Sequence, residues 1–438
     1  MSFNKMKTIR SWLDNQRAWI SCNIFKREAI VYLVNEISAV ETSVQKPRLF
    51  PLYFLSFCGD FLLSTMIVAS TLAAKSRGAP DWIVGILGSA FYMSYTPCAL
   101  ILGRLGDKMP RRACIGITAT GCLGVSIMLV IGWGNVAILF IGELLVGFFN
   151  GFYWPSIEAF ISENSANETE HQANVNKFCL GWSIGYMIGP FIAPVLDDIG
   201  PVYSFLIMTA ISCVNLANVW FLFPKKSLKL SHAAIPAVQS SDQQNEPRVF
   251  VIVLILALAI FTYNFARAFI VGVFPDIAKS PQYYGWTGFE TGSVLFCFGA
   301  ARSVMFLLQN RIKNKKLFVP VILSFCLSAS SFLFTTTRDF SLYCIFFAVV
   351  GIFSALVYSA TLQKMLHIPA GRGQAAGLFE SGLALGGLVS PIFSGFALGM
   401  FRSPEAAFII VGTVSTIVSL AALILFFVSR KTHDISTC

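Results

Sequence analysis

The sequence predicts an all-α membrane protein whose twelve transmembrane helices form two parallel six-helix repeats. Of its 438 residues, 55% are hydrophobic and only 12% are charged, against about a quarter charged in an ordinary soluble domain. A hydrocarbon layer about 30 Å thick needs about 20 apolar residues per helix. Runs of that length follow one another from residue 50 almost to the end, and their sequence repeats halfway along the chain. These observations exclude a water-soluble globule.

Apolar runs and their polar connections place the individual spans. The twelve predicted spans cover residues 50–73, 82–102, 113–133, 135–158, 178–196, 203–223, 249–272, 288–308, 317–336, 341–363, 375–397 and 406–429. Because their number is even, both termini lie on one side. Most of the 32 Lys and Arg residues also fall on that side. The positive-inside rule therefore predicts cytoplasmic termini, and the net charge of +10 reports orientation rather than nucleic-acid binding.

An internal duplication organises the spans into two halves. At an offset of 204 residues, Ala74-Lys75-Ser76 aligns with Ala278-Lys279-Ser280, and Trp82 aligns with Trp286. Six spans in each half give both halves the same orientation, which is the plan of parallel-repeat transporters.

The duplication and the polar connections predict five segments. They are a cytoplasmic N-terminal segment (1–49), a first bundle (50–223), a cytoplasmic linker (224–248), a second bundle (249–429) and a cytoplasmic tail (430–438). The N-terminal segment lacks the pattern of a secretory signal. Its stretch around Ile30–Val40 is partly amphipathic, which favours contact with the membrane surface.

The loop between the second and third spans reads G-R-L-G-D-K-M-P-R-R, from Gly103 to Arg112. It resembles the G-x-L-x-D-(R/K)-x-G-R-(R/K) loop of the major facilitator superfamily, with Pro110 in place of the usual glycine. The matching positions are Gly103, Leu105, Asp107, Lys108, Arg111 and Arg112. The resemblance implies the fold of that superfamily and secondary active transport of a small solute by alternating access.

The same resemblance implies a gating role for the loop. Asp107 is expected to meet the start of the eleventh span when the transporter faces outward. Arg111 is expected to pair with an acid at the cytoplasmic end of the fourth span, for which Glu158 is the first candidate and Glu163 the second. In the second half Arg311 stands where Asp107 would fall, so the gate is predicted to be asymmetric.

Two further motifs lie within spans. The fifth span contains Gly185, Gly189 and Pro190, whose spacing resembles the signature of the antiporter branch of the superfamily. Small residues at this spacing also let helices pack closely, so the motif is consistent with close packing alone and with antiport. In the fourth span Glu143 stands where many members of the superfamily have an arginine.

Charged residues inside a bilayer are candidate functional sites, because each costs at least about 2.5–3.5 kcal/mol at the centre. The candidates are Asp60, Glu143, Asn264, Arg267, Arg302 and Glu380. Asn264 is included because it is the repeat partner of Asp60, and the two are expected to face each other across a cavity. Asp60 and Glu143 have no obvious neighbouring cation in sequence and are predicted to carry protons. Arg302 and Glu380 are predicted to pair.

The sequence therefore predicts a proton-coupled carrier of a small organic solute, with export by antiport favoured. Uptake of an anionic or polar metabolite is the alternative, as is a receptor or chaperone that shares the fold without transporting. An enzyme is not expected, since hydrolase and protease motifs are missing from the sequence. The four histidines are expected in loops or tails, so neither a metal nor another cofactor is predicted. The expected partners are a solute, protons and the bilayer of the cell membrane, and the expected state is a monomer.

Overall fold

The computed structural model describes residues 49–106, 108–165, 167–224, 246–308, 317–366 and 372–432. Within these ranges the side chains of residues 100, 103, 104, 168, 246–249, 363, 372–379 and 430–432 are not described. The N-terminal segment up to residue 48, with its amphipathic stretch, lies outside the described residues. So does most of the predicted linker.

Every regular element in these ranges is helical, as the sequence predicts. The α-helices are α1 (Phe50–Ser76), α2 (Asp81–Gly106), α3 (Arg111–Gly132), α4 (Val136–Glu163), α5 (Glu168–Ile199), α6 (Val202–Ala217), α7 (Glu246–Gly272), α8 (Phe274–Lys279), α9 (Gly288–Leu308), α10 (Phe318–Ser331), α11 (Phe340–Leu366), α12 (Arg372–Phe401) and α13 (Pro404–Thr432). A π-helical turn, Asn218–Leu222, extends α6, and a 3₁₀ turn, Phe332–Thr335, extends α10. Since α8 is a short helix after the seventh span, α9 to α13 are spans eight to twelve.

Eleven spans in the described ranges are long and apolar enough to cross a membrane. The remaining long helix, α2, has 26 residues, or about 39 Å at 1.5 Å per residue. Several large apolar side chains point away from the protein, among them Ile131 and Phe221, which are 82% and 84% exposed. Such exposure is expected of side chains that face lipid.

Polar residues at the ends of helices determine where several of them begin. The side chain of Asn135 accepts a hydrogen bond from the backbone of Ala137 at the start of α4, and Asn167 does the same for Glu170 at the start of α5. Before α9, Thr287 and Glu290 form a capping box in which each side chain bonds the backbone N–H of the other. Glu290 therefore caps the start of α9.

One helix begins well before the predicted span. Helix α5 begins at Glu168, ten residues before the predicted start of the fifth span at residue 178, because polar helical turns carry no apolar signal. This places His171 in a helix instead of a loop; the other three histidines lie outside the described ranges. Helix α7 begins at Glu246, inside the predicted linker, and α13 continues to Thr432, inside the predicted tail.

Within each half, glycines let the corresponding pair of helices pack closely. A β-carbon at Gly185 would lie 2.3 Å from the carbonyl oxygen of Phe57, and one at Gly189 would lie 2.7 Å from Ser64 Oγ, so α5 packs against the backbone of α1. In the second half, a β-carbon at Gly386 would lie 2.4 Å from Phe261 O, which packs α12 on α7 in the same way. The small residues next to Pro190 in α5 therefore serve helix packing, and their counterparts in α12 do the same in the second half.

Candidate functional site

An ion pair joins the two halves near mid-span. Asp60 lies ten residues into α1, about 15 Å along the helix. Arg267 of α7 donates through Nη2 to Asp60 Oδ1 at 3.0 Å and through Nη1 to the hydroxyl of Tyr92 at 3.2 Å. Both charged side chains are more than nine-tenths buried. The pair is thus a buried contact between halves that are distant in sequence.

This pair corrects the expectation that Asp60 lacks a neighbouring cation. Arg267 links Asn264 to Asp60, because its guanidinium contacts Asn264 Oδ1 at 3.4 Å as well as the Asp60 carboxylate. The amide nitrogen of Asn264 donates to Leu383 O at 2.6 Å. Arg267 reaches Asp60 because it lies three residues after Asn264, on the same face of α7.

A second arginine, Arg302 of α9, lies beside the pair and is fully buried. Its Nε donates to Ser183 Oγ at 3.1 Å. The predicted pair with Glu380 is wrong, because the Nη atoms of Arg302 have no hydrogen-bond partner among the described residues. The reason is helix packing: α9 packs on α5, whereas α12 packs on α2 and α7. Similar depth in the bilayer therefore does not bring Arg302 and Glu380 together.

Aromatic rings surround the two guanidinium groups. Both Arg267 and Arg302 lie over the ring of Tyr186, at 4.3 and 4.1 Å from its centroid. Arg302 also lies 4.8 Å from the ring of Trp182. The ring centroids of Tyr358 and Trp182 lie 5.3 Å apart, so Tyr358 belongs to the same group of aromatic rings. Cation–π contacts of this kind favour a buried guanidinium.

Glu143 occupies a different place, inside the first half. It is fully buried on α4, where the side chain of Ser70 on α1 lies close to it. Neither carboxylate oxygen has a hydrogen-bond partner among the described residues. A buried carboxylate without a donor or a cation is costly, and its protonated form is less so.

Two more acids face each other toward the terminal face, which we define as the end of the bundle that carries residues 49, 224, 246 and 432. Glu158 of α4 and Glu380 of α12 are close enough to interact electrostatically. Tyr95 of α2 donates to Glu380 Oε2 at 3.2 Å. Glu158 is exposed although it lies within a span and faces the other half. A cleft between the halves therefore opens toward the terminal face.

The opposite end, the distal face, carries loops 77–80, 133–135, 200–201, 280–287, 336–339 and 402–403, and there the halves are in contact. A β-carbon at Gly85 of α2 would lie 2.4 Å from Pro391 O of α12, and one at Gly288 of α9 would lie 2.0 Å from Pro194 O of α5. Backbone thus meets backbone along both seams. The distal face is closed.

Ion pairs across the halves accompany this closure. Lys75 at the end of α1 contacts Asp276 of α8 at 3.4 Å, and it also pairs with Asp81 of its own half. Lys279 of α8 contacts Asp198 of α5 at 2.7 Å and also pairs with Asp197. Lys75 and Lys279 are repeat partners in the sequence, so each half contributes one lysine that binds an aspartate of the other.

Tyr283 adds a neutral link at the same face, because its hydroxyl donates to Asp81 Oδ2 at 3.3 Å. Burial, and then the Asp81 carboxylate, raise the pKa of Tyr283 above its ordinary value. The hydroxyl therefore stays protonated and remains a donor at neutral pH.

At the terminal face, part of the Gly103–Arg112 loop is described. Arg111 pairs with Glu163, the second candidate, through Nη2 at 2.8 Å, so the first candidate, Glu158, is wrong. Helix α4 continues to Glu163 and leaves Glu158 deeper in the cleft. Arg112 donates to the carbonyl oxygens of Val219 and Trp220 at the end of the sixth span. Lys108 is exposed, Asp107 lies outside the described residues, and the surroundings of Gly103 are not described.

Some residues of the site had no signal in the sequence that singled them out. Ser183 was not a candidate, because serine is common in membrane helices. Asp197, Asp198 and Asp276 were not candidates because acids in loops and at helix ends are usually solvated. The lysines could have been found, since Lys75 and Lys279 align in the repeat.

Comparisons with known proteins agree with this architecture. The family model of the Major Facilitator Superfamily matches residues 49–308 and 256–437. Among solved structures, the nucleoside transporter NupG superposes with a TM-score of 0.62 at 14% identity, over 86% of this chain and 98% of that one. A D-xylose–proton symporter gives 0.65 at 17% identity, over 86% and 97%. The human organic anion transporter MFSD10 (TETRAN) gives 0.60 at 15% identity, over 86% and 98%. No curated protein sequence matches the chain.

Fold and site together define an integral, multi-pass membrane transporter. Its helices span a bilayer, its halves enclose buried charges, and one end of the cleft between them is closed. The chain belongs to the major facilitator superfamily.

Proposed function

We propose that the protein is a proton-coupled secondary transporter of a small organic solute. The observation that carries the proposal is the buried Asp60–Arg267 pair between the halves, at 3.0 Å. The pair lies between the closed distal face and the cleft that opens toward the terminal face. An ion pair in this position forms or breaks as the halves move. The D-xylose–proton symporter, which has the same fold, is named for proton coupling.

The proposed mechanism is alternating access by rocking of residues 50–223 against residues 249–429. We assign the terminal face to the cytoplasm on the positive-inside rule, so the state described is open to the inside. The Lys75–Asp276 and Lys279–Asp198 contacts close the outer side and must break for the outward-open state. Arg111–Glu163, with Asp107, belongs to the proposed gate at the inner side.

Proton coupling is assigned to Asp60 and Glu143. Protonation of Asp60 removes the charge that binds Arg267 and loosens the contact between the halves. Glu143 lies within the first half, where a proton is the smallest ion that can neutralise it. Glu158 and Glu380 lie in the cleft, and Tyr95 binds Glu380. They provide a place where protons from the cytoplasm reach the interior.

Export by antiport is the proposed direction, because Gly185–Pro194 resembles the antiporter signature; uptake of an anionic or polar metabolite is the alternative. The protein is proposed to act as a monomer in the cell membrane. A receptor or chaperone of the same fold would bind a solute without moving it.

Proton movement tests the proposal directly. Proteoliposomes that contain a pH-sensitive dye are mixed with uridine, D-xylose or benzenesulfonate, which represent the solutes named for the three structural neighbours. We expect one of these solutes to change the internal pH in the wild-type protein. The change should be lost in Glu143→Gln and in Asp60→Asn, because an amide cannot take up a proton at neutral pH.

Asp339→Asn is the matched control. Asp339 caps α11 at the distal face by accepting from the backbone of Leu342, and asparagine caps equally well. Proton movement that survives in both Glu143→Gln and Asp60→Asn would rule out coupling through these acids. Solute binding with no exchange in the wild-type protein would favour a receptor.

A further inference from the structure

Arg302 presents hydrogen-bond donors that no described side chain or backbone group accepts. It is fully buried, and only its Nε has a partner, Ser183 Oγ at 3.1 Å. Ser183 is in turn held by Ser303, with 2.9 Å between their Oγ atoms. The two Nη atoms, which carry four of the five N–H donors of the guanidinium, meet hydrogen-bond geometry with no acceptor among the described residues, although the hydroxyl of Tyr263 lies beside Arg302. Buried donors are usually satisfied, so this fork has room for an acceptor that the described residues do not supply.

The charges around Arg302 do not balance. Asp60 interacts with both Arg267 and Arg302, but its hydrogen bonds go to Arg267. With Asp60 ionised, two guanidinium groups and one carboxylate leave one positive charge in excess. A guanidinium cannot shed its proton in a protein. The excess charge is therefore permanent and attracts a monoanion.

Aromatic rings restrict how such an anion can approach. Tyr186, Trp182 and Phe298 lie 4.1, 4.8 and 5.3 Å from the guanidinium carbon of Arg302. These rings occupy the space over the planar group, which leaves its Nη edge for an acceptor. Oxyanions such as carboxylates and phosphates bind such an edge through two parallel hydrogen bonds.

An aromatic path leads from the cleft to this edge. Tyr358 contacts Tyr263 and Trp182, each at 5.3 Å between centroids. On its other side Tyr358 is close to Glu158 and Glu380 in the cleft. A flat apolar group on the ligand would pack against these rings.

We propose that the Nη edge of Arg302 binds the anionic group of a small organic monoanion whose aromatic body packs against Trp182, Tyr263 and Tyr358. The inference rests on the proposed transport function and names its substrate class. Trp182 comes from the first half, and Arg302 comes from the second. The ligand therefore bridges the two bodies that are proposed to rock.

The test is equilibrium binding to the purified full-length protein in detergent, measured by titration calorimetry. The probes are benzenesulfonate, its neutral isostere benzenesulfonamide, and methanesulfonate, which has the charge without the ring. We expect benzenesulfonate to bind at least about tenfold more tightly than either of the others. Arg302→Gln should weaken benzenesulfonate binding by about 10- to 100-fold, the range for a lost charge-assisted hydrogen bond.

Arg338→Gln is the matched control, because it is the same substitution at an arginine that is 60% exposed on the distal face. It should leave benzenesulfonate binding unchanged. Equal binding of benzenesulfonate and benzenesulfonamide would overturn the proposal, as would unchanged benzenesulfonate binding in Arg302→Gln.

Thermal unfolding without ligand separates a binding role from a structural one. Removing a buried charge whose two Nη atoms lack a hydrogen-bond partner among the described residues should leave the Tm of Arg302→Gln at or above that of Arg338→Gln. A Tm clearly below the control would assign Arg302 to the fold and overturn the proposal.

Benzenesulfonate binding without proton movement in proteoliposomes would support the anion site and contradict the proton coupling proposed above. Proton movement with uridine or D-xylose, without anion binding, would support the proton coupling and contradict the anion site.

Discussion

Asp60→Asn is expected to destabilise the protein more than Arg267→Gln does. Breaking a buried ion pair by removing one partner costs about 3–5 kcal/mol, because the other charge stays buried and unpaired. In Asp60→Asn the stranded charge is a guanidinium, which cannot become neutral. In Arg267→Gln the stranded charge is a carboxylate, which can take up a proton and still has Arg302 nearby.

The double variant Asp60→Asn/Arg267→Gln should recover most of the lost stability, because neither charge of the pair remains. Thermal unfolding in detergent measures the order of the four proteins. Unfolding of large membrane proteins is often irreversible, so the half-life at a fixed temperature is compared as well. Asp339→Asn again serves as the control for the acid-to-amide change. A double variant as unstable as Asp60→Asn would show that the pair contributes through something other than its charges.

Gly85→Val is expected to prevent closure of the distal face while leaving each half folded. A β-carbon at Gly85 would lie 2.4 Å from Pro391 O and 2.9 Å from the Cα of Gly395. These are backbone atoms, so no side-chain rotation relieves the clash. Overpacking costs about 1–3 kcal/mol, which shifts the ratio of closed to open distal faces by about 5- to 150-fold at 1.4 kcal/mol per factor of ten.

Spin labels on distal loops of opposite halves, at Gly134 and Thr337, report the opening without any need for the substrate. Their separation should increase in Gly85→Val relative to the wild-type protein. Gly124→Val is the matched control, because nothing lies within 4 Å of a β-carbon at Gly124. A label separation in Gly85→Val equal to that in Gly124→Val would contradict the role assigned to this seam.

The spans were predictable because a bilayer imposes one strong requirement on the sequence. Each crossing needs a long apolar run, and such runs are visible without knowledge of any neighbour. Polar helical turns carry no such signal, which is why the start of α5 at Glu168 was predicted ten residues too late. The start of α9 followed from its apolar run, and the exchange of bonds between Thr287 and Glu290 explains it physically.

The candidate site was predictable in its members but not in its pairings. Asp60, Arg267 and Arg302 were identified because charge inside a bilayer is costly. The depth of a residue along one helix says nothing about which neighbouring helix it faces. Arg302 was therefore assigned to Glu380 at similar depth, whereas α9 turns that side chain toward α5.

The sequence by itself determined the number of spans, the duplication into two halves and the membership of a transporter superfamily. Those properties depend on local hydropathy and on motifs that are contiguous in the chain. Only the tertiary structure decided that Arg267 binds Asp60, that Lys75 and Lys279 link the halves at the distal face, and that the fork of Arg302 has no acceptor among the described residues. Each of these depends on the rotation of a helix about its axis and on which helix packs beside it. Contacts between residues about 200 positions apart set both.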